Sequence, residues 1–514
     1  MAVSSDVNLV ARAGIRAVVA DKARLAKEGW SGWVRAQLQM PADDSADVAD
    51  QISKAVLPIE YEAGDGFEAK KENRRLGLLK KSTRELWHLA DWDVKMAYAE
   101  RVRPADELHA ATVLRATLSE AQLRETVTDF WRDHFAVNRD AVEDVAIALP
   151  TYEQDVLRVH ALGNFREMLE AVATSTAMLA YLNNASSKAS PANENYAREL
   201  LELHTLGAPA YLNATFDRWR EVPGALEGKP EGYIDQDVYE TARAFTGWTY
   251  AGGQYVSEGV ELPKTGEFTY TEQWHDPYQK RVLAVEFDPH TAPMADGRKV
   301  LDLVAFHPAT AHNVSYRLCR RFVADAPPAN LVKSTAQVFA ETASAKDQLA
   351  KVIEHILMSP EFAAAVPRLQ RPLFLFASMQ RSASVVLPPT QDNVWMLNGM
   401  GHSLYGWPSP AGHPLATAYW QSPGLLVRRW RSMSDIWTRI MARDPDRDWA
   451  NIPGFAKHWA NALGLDAQHA ALSAGLLAKE YGESERRVSF AENERWQNAQ
   501  ALTVLSASPS YQTV

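Results

Sequence analysis

Two carboxylates three residues apart, Glu199 and Glu202, accompany an amide and a guanidinium in the stretch Asn193-Glu194-Asn195-Tyr196-Ala197-Arg198-Glu199-Leu200-Leu201-Glu202-Leu203-His204-Thr205-Leu206-Gly207. At about 100° of turn per residue, a helix gathers Asn195, Arg198, Glu199 and Glu202 within an arc of roughly 100°. The other side carries Tyr196, Ala197, Leu200, Leu201, Leu203 and His204, and Gly207 is placed to stop the helix. If the two glutamates are shielded from water, like-charge repulsion raises one pKa and leaves an acid beside a base. Arg198 then neutralises the pair or presents its fork to an anionic substrate. The same spacing also describes a solvated face of Arg/Glu pairs, each worth about 0.2–0.5 kcal/mol. Spacing alone favours that plainer reading.

His134 is the next candidate. It shares a face with Val127, Phe130 and Trp131 in a helical pattern over 119–137, so it points inward. An inward histidine is more often a hydrogen-bonded core residue than a catalyst, but burial or a carboxylate neighbour readily displaces its pKa. Asp129 and Asp133 are expected toward the outer side of the same helix. His307 precedes Pro308 at a helix start, where the positive helix end favours the neutral imidazole.

Metal and nucleophile signatures are missing. The 14 histidines include no His-Glu-x-x-His, and the chain has no EF-hand loop, P-loop, dinucleotide fingerprint or Gly-x-Ser-x-Gly elbow. His204 lies roughly 160° around the helix from Glu202 and cannot join it in a Glu-x-x-His set. No metal ligand set and no cofactor are therefore expected. A divalent metal bound by Glu199 or Glu202 with ligands from other helices stays open.

The elements that must position these groups are nearly all helices. Apolar spacing of three and four runs through residues 7–38, 76–101, 119–137, 141–162 and 164–182, with Asn164 as an N-cap. It resumes at 235–245, 297–381 and 424–505. Residues 61–72 read as a loop and 208–235 as irregular. Glycine pairs between aromatic and β-branched runs mark hairpins in 246–290, the only sheet expected. The fold class is mainly α: a large multi-helix domain with a small β-hairpin excursion near residues 246–290. The organisation expected is one helical unit over 1–514, with an irregular or β insertion at 208–290 and C-terminal helices at 441–514 packed on the main body.

The 514 residues carry a formal net charge of -10 and no basic run, which argues against nucleic-acid partners. The single cysteine, Cys319, excludes an internal disulfide framework and falls in a helical pattern that makes it a buried thiol. No run of about 18 apolar residues is present, so no membrane span is expected. No export signal follows Met1, giving a cytoplasmic default, with a periplasmic or secreted location if the natural chain is longer. Sixteen tryptophans are enough to line a sugar cleft or fill helical cores, and filling is the commoner use.

The opening stretch resembles the signature of the bacterial domain-of-unknown-function family numbered eighteen hundred. Supporting matches are Arg12-Ala13-Gly14, Phe130-Trp131-Arg132-Asp133-His134-Phe135 and His160-Ala161-Leu162-Gly163-Asn164-Phe165. Further on come Ala242-Arg243-Ala244-Phe245-Thr246-Gly247-Trp248, His307-Pro308-Ala309-Thr310-Ala311, Arg321-Phe322-Val323 and Ser409-Pro410-Ala411-Gly412. The resemblance covers about residues 8–440. It implies one large, mainly helical unit without an established activity, and a genomic-neighbour partner with a sulfatase-like fold in an envelope or secreted-polymer context. Asn183 stands where the pattern usually has aspartate. His204 stands where it also accepts phenylalanine, which removes His204 from the catalytic set.

A pattern specifying Asn, Arg and Glu on one face argues against simple solvation. The leading expectation is a hydrolase-type acid/base enzyme acting on a polar, carbohydrate-class substrate. Glu199, Glu202 and His134 form its catalytic set, with His134 in a supporting or proton-transfer role. Asn195, Arg198, Asn184, Trp131, Trp248 and His307 are assigned to substrate binding. Two alternatives stand beside it: a non-catalytic envelope or assembly protein in which these same residues form a buried structural network, and a carboxylate-rich metalloenzyme.

Overall fold

The computed structural model describes residues 2–17 and 19–514. It is 57% helical, and its strands form only two-stranded antiparallel pairs. The centre is built from Arg103–Leu118, Gln122–His134 and Pro372–Ala383, whose residues are buried nearly all round. A helix enclosed on every side has no solvent face, so its polar residues must find partners inside the protein. Asp129 and Asp133 are accordingly buried, not turned outward. The sequence reading assumed one wet side for this helix, and no such side exists.

One hydrophobic cluster runs from Val10 to Tyr511. The first helix, Ala2–Ala13, is tied down by Arg12, which donates to the carbonyls of Phe362 and Ala365 at 2.8 Å each. The C-terminal helices Ile452–Ala462, Ala467–Tyr481 and Arg495–Ala507 share this core, with Trp437 packed edge-on to Trp459 at 5.3 Å. Cys319, on Pro308–Phe322, is buried with its Sγ 3.7 Å from Thr335 Oγ1, and burial pushes its thiol up to about 11. Among the described residues no helix is long and apolar enough to cross a membrane.

The hairpins between 246 and 290 are present, led by Trp248–Gly252 against Lys264–Tyr270. They are not the only sheet. Val56–Tyr61 pairs with Lys70–Arg75, and Asp448–Trp449 with Val488–Ser489. The first strand shows the expected alternation, with Leu57 and Ile59 buried between exposed neighbours. Its partner, Lys-Lys-Glu-Asn-Arg-Arg, has no apolar period and is held by ladder bonds and cross-strand charge pairs such as Lys71–Glu60 at 2.7 Å. That absence of an apolar pattern is why the segment read as loop.

The path into the opening motif is set by side-chain caps. Asn164 accepts from the amides of Arg166 and Glu167 and starts Phe165–Ala173. After Thr176–Tyr181 the chain turns through Asn183, whose φ of 58° is tolerated by asparagine. Asn193 then caps Glu194–Glu199 by accepting from Asn195 N at 3.0 Å, while its own amide donates to Ser187 Oγ.

Candidate functional site

The helix carrying the two glutamates changes geometry halfway. Glu194–Glu199 is α-helical, and Leu200–His204 widens into a π turn. Thr205 Oγ1 donates to Leu200 O at 2.5 Å, and Gly207 N donates to Leu201 O at 3.0 Å, closing the wide turn. Its buried side consists of Tyr196, Ala197, Leu200, Leu201 and His204, with Tyr196 packed edge-on to Phe245 at 5.2 Å. The other side brings Asn195, Arg198, Glu199 and Glu202 together at the surface: Asn195 is exposed and the other three are half-buried.

Arg198 Nη2 lies 3.4 Å from Glu194 Oε2 and 3.6 Å from Asp235 Oδ1. Tyr211 donates its hydroxyl to Asp235 Oδ2 at 2.8 Å and stacks on Tyr233, whose buried hydroxyl has no partner among the described residues. Arg198 thus meets Glu194 and Asp235 through Nη2 alone. Neither Glu199 nor Glu202 has a hydrogen-bond or ion-pair partner among the described residues. Burial first, and the charge of Glu202 second, hold the Glu199 carboxyl above its ordinary value, against the opposing pull of Arg198. A carboxyl with a raised pKa next to a second glutamate on the same face is an arrangement suited to proton transfer. Asp235, Tyr211 and Tyr233 were not found from sequence. They lie 12 to 37 residues further along the chain from Arg198 and Glu199, and no local pattern ties them to this helix.

The remaining assigned residues are elsewhere. His134 is fully buried, its Nε2 donating to His204 O at 3.0 Å and its Nδ1 without a partner among the described residues. Burial, then the charge of Arg317, drives His134 far below its ordinary pKa, so it is a neutral core imidazole and not a solvent-facing base. Trp131 and Trp248 are also fully buried, with Trp131 Nε1 donating to Ala161 O at 3.0 Å, so neither ring offers a face to a sugar. Asn184 is buried, with its amide near the carbonyls of Phe245 and Trp248. His307 caps Pro308–Phe322: Nδ1 accepts from Ala309 N at 3.0 Å and Nε2 donates to Pro230 O at 2.8 Å. Burial lowers the His307 pKa, in keeping with the neutral imidazole expected there. All five fill the core or cap an element.

A buried polar network does exist, built from other residues. Arg371 Nη1 bonds Asp129 Oδ2 at 3.0 Å and also Asp133 Oδ2. Arg132 bridges Asp129 Oδ1 at 3.1 Å and Glu153 Oε1 at 2.8 Å. His413 donates Nδ1–H to Asp133 Oδ1 at 2.8 Å while its Nε2 accepts from Ser403 N at 3.1 Å. Burial alone would raise Asp133, but Arg371 and then His413 overcome it and hold the carboxyl far below its usual range. Gly412, at φ +70°, is seated so closely that a Cβ there would lie 2.1 Å from Asp133 O. Among the described residues no group of three His, Cys, Asp or Glu side chains comes together as a metal site. The acidic residues of this network are matched to arginines instead.

Fold and site together define a mainly helical protein with an unpaired pair of glutamates on a half-exposed helix face. The chain belongs to the family described as "Protein of unknown function (DUF1800)", whose model matches residues 8–513. The match takes in the C-terminal helices beyond the span read from the motifs. No curated protein and no solved structure shows significant similarity to the chain.

Proposed function

We propose that the protein is an acid/base enzyme of hydrolase type, with Glu199 as the acid and Glu202 as the base. Asn195 and Arg198 orient the substrate. The observation that carries this reading is the unpaired state of both carboxylates, with Glu199 held protonated to a higher pH than an ordinary glutamate. Glu100 shows the contrast, since Arg74 holds that carboxyl at about 2. An open, polar face with spare hydrogen-bonding groups suits an extended polar polymer, and a polysaccharide is the substrate class that fits it. A sulfatase-fold partner belongs to the same proposal.

Incubation with a panel of bacterial and plant polysaccharides, read by reducing-end release, is the test. Turnover that survives in both Glu199→Gln and Glu202→Gln, with both variants folded, would end the assignment.

One observation favours a second reading. The Asp129–Arg371–Asp133–His413 network supplies the buried polar framework of an assembly protein, without requiring the glutamate face to be catalytic.

A further inference from the structure

A cavity of about 40 Å³ lies where Arg371 enters Pro372–Ala383, beside the end of Pro308–Phe322. Its lining includes Arg12, Arg321, Arg368, Arg371 and Val514, and among the described residues no aspartate or glutamate side chain. Four guanidinium groups around so small a space repel one another unless anions compensate them.

The compensation is incomplete. Arg368 Nη2 is paired with Asp325 at 2.7 Å, and Arg12 spends both terminal nitrogens on main-chain carbonyls. Arg371 uses Nη1 for both Asp129 and Asp133, which leaves Nη2 buried with no acceptor among the described residues, on a side chain only 6% exposed. Arg321 makes no hydrogen bond with its side chain among the described residues. Its nearest carboxylate oxygen is Asp129 Oδ2 at 3.7 Å, and its guanidinium lies 5.6 Å from the Phe374 ring. Burial, then the charge of Arg371, holds Arg321 below its ordinary pKa, as expected of a cation short of a partner. An unsatisfied guanidinium N–H inside a protein keeps its full desolvation cost, so a ligand that meets it recovers that cost.

We propose that this cavity binds a small oxyanion of the phosphate class, received by the free N–H groups of Arg371 and Arg321. Arginine forks match the oxygen geometry of such an anion. The amide end of Pro372–Ala383 adds a favourable helix-terminal field. The cavity takes the head group alone, so the anion is either free phosphate or the phosphate end of a larger molecule that extends outward. None of these residues belongs to the Glu199 face, and the two proposals stand or fall separately.

Calorimetric titration of the full chain with sodium phosphate, at ionic strength held constant with sodium chloride, tests it. One binding site is expected, together with a Tm raised by phosphate and not by chloride. Arg321→Gln should weaken phosphate binding by about tenfold or more and erase the phosphate-induced Tm shift. Without phosphate, the same variant is expected to keep or raise its Tm, because it removes an uncompensated cation. Arg321→Lys, which keeps the charge and loses the fork, should bind between the two and serves if the glutamine variant does not fold. Methyl phosphate binding as tightly as inorganic phosphate assigns the anion to the end of a larger ligand, and exclusive binding of inorganic phosphate assigns the free ion. No phosphate heat and no Tm shift beyond the chloride control overturns the proposal, as does wild-type affinity in Arg321→Gln.

Discussion

Glu199 is the residue on which the functional reading turns, and its protonation has a stability signature that needs no substrate. Its folded pKa lies above the unfolded value, so the native state takes up the proton more readily. The stability so gained is present at low pH and is lost as pH rises through the folded pKa. Glu199→Gln, neutral at every pH, should therefore be more stable than wild type at pH 7. The gain should stay below about 1 kcal/mol because the side chain is half-exposed and solvent screens the repulsion. It should vanish below the unfolded carboxylate value of about 4.3. Thermal melts across that range check the sign, and carboxyl NMR of Glu202→Gln should show Glu199 moving back down. The shared face of Asn195, Arg198 and Glu199 was legible in the sequence because α-helical spacing produces it, whereas the place of Glu202 also depends on the π turn. The partners of Arg198 were not, since Asp235 and Tyr211 reach it only through the fold. His134 shows the opposite case: its inward direction was correctly read, and its complete burial is what removes it from proton chemistry with solvent.

At the scale of the element, the α-to-π change at Leu200 decides where Glu202 points relative to Glu199. A single extra residue in one turn leaves no trace in an apolar period read over so few positions, so sequence could place the glycine stop but not the widening before it. Gly207 holds the end of this turn at φ +93°, where a Cβ would stand 2.8 Å from the Asn313 side chain that donates to Thr205 O. Gly207→Ala is expected to cost about 1–3 kcal/mol through strain and the displaced Asn313 bond, measured by urea unfolding. A wild-type midpoint would show that the turn relaxes freely. The early hairpin teaches a related lesson. Leu57 and Ile59 alternate as a strand should, but the all-polar Lys70–Arg75 strand is fixed only by its partner.

The whole molecule was legible as a large helical body, because three- and four-residue periodicity recurs along most of its length. The enclosure of its central helices was not, since amphipathic reasoning gives every helix a wet side. That enclosure buries His109, His134, His204 and His402 as neutral groups, with His109 and His204 held at about 3, chiefly by burial. Each binds a proton in the unfolded chain near pH 6.5 and resists it in the folded one, so stability rises with pH over that window and is lost as pH falls below 6.5. Unfolding midpoints should decline steeply between pH 6.5 and 4, and a flat profile there would contradict the burial. The same enclosure surrounds the one thiol, Cys319, between Pro308–Phe322 and Ala329–Glu341. A thiol-reactive dye added to the native protein has a single target and must wait for those two helices to part. Its labelling rate is therefore a clock for opening of the core, already installed at one known position and needing no engineered probe.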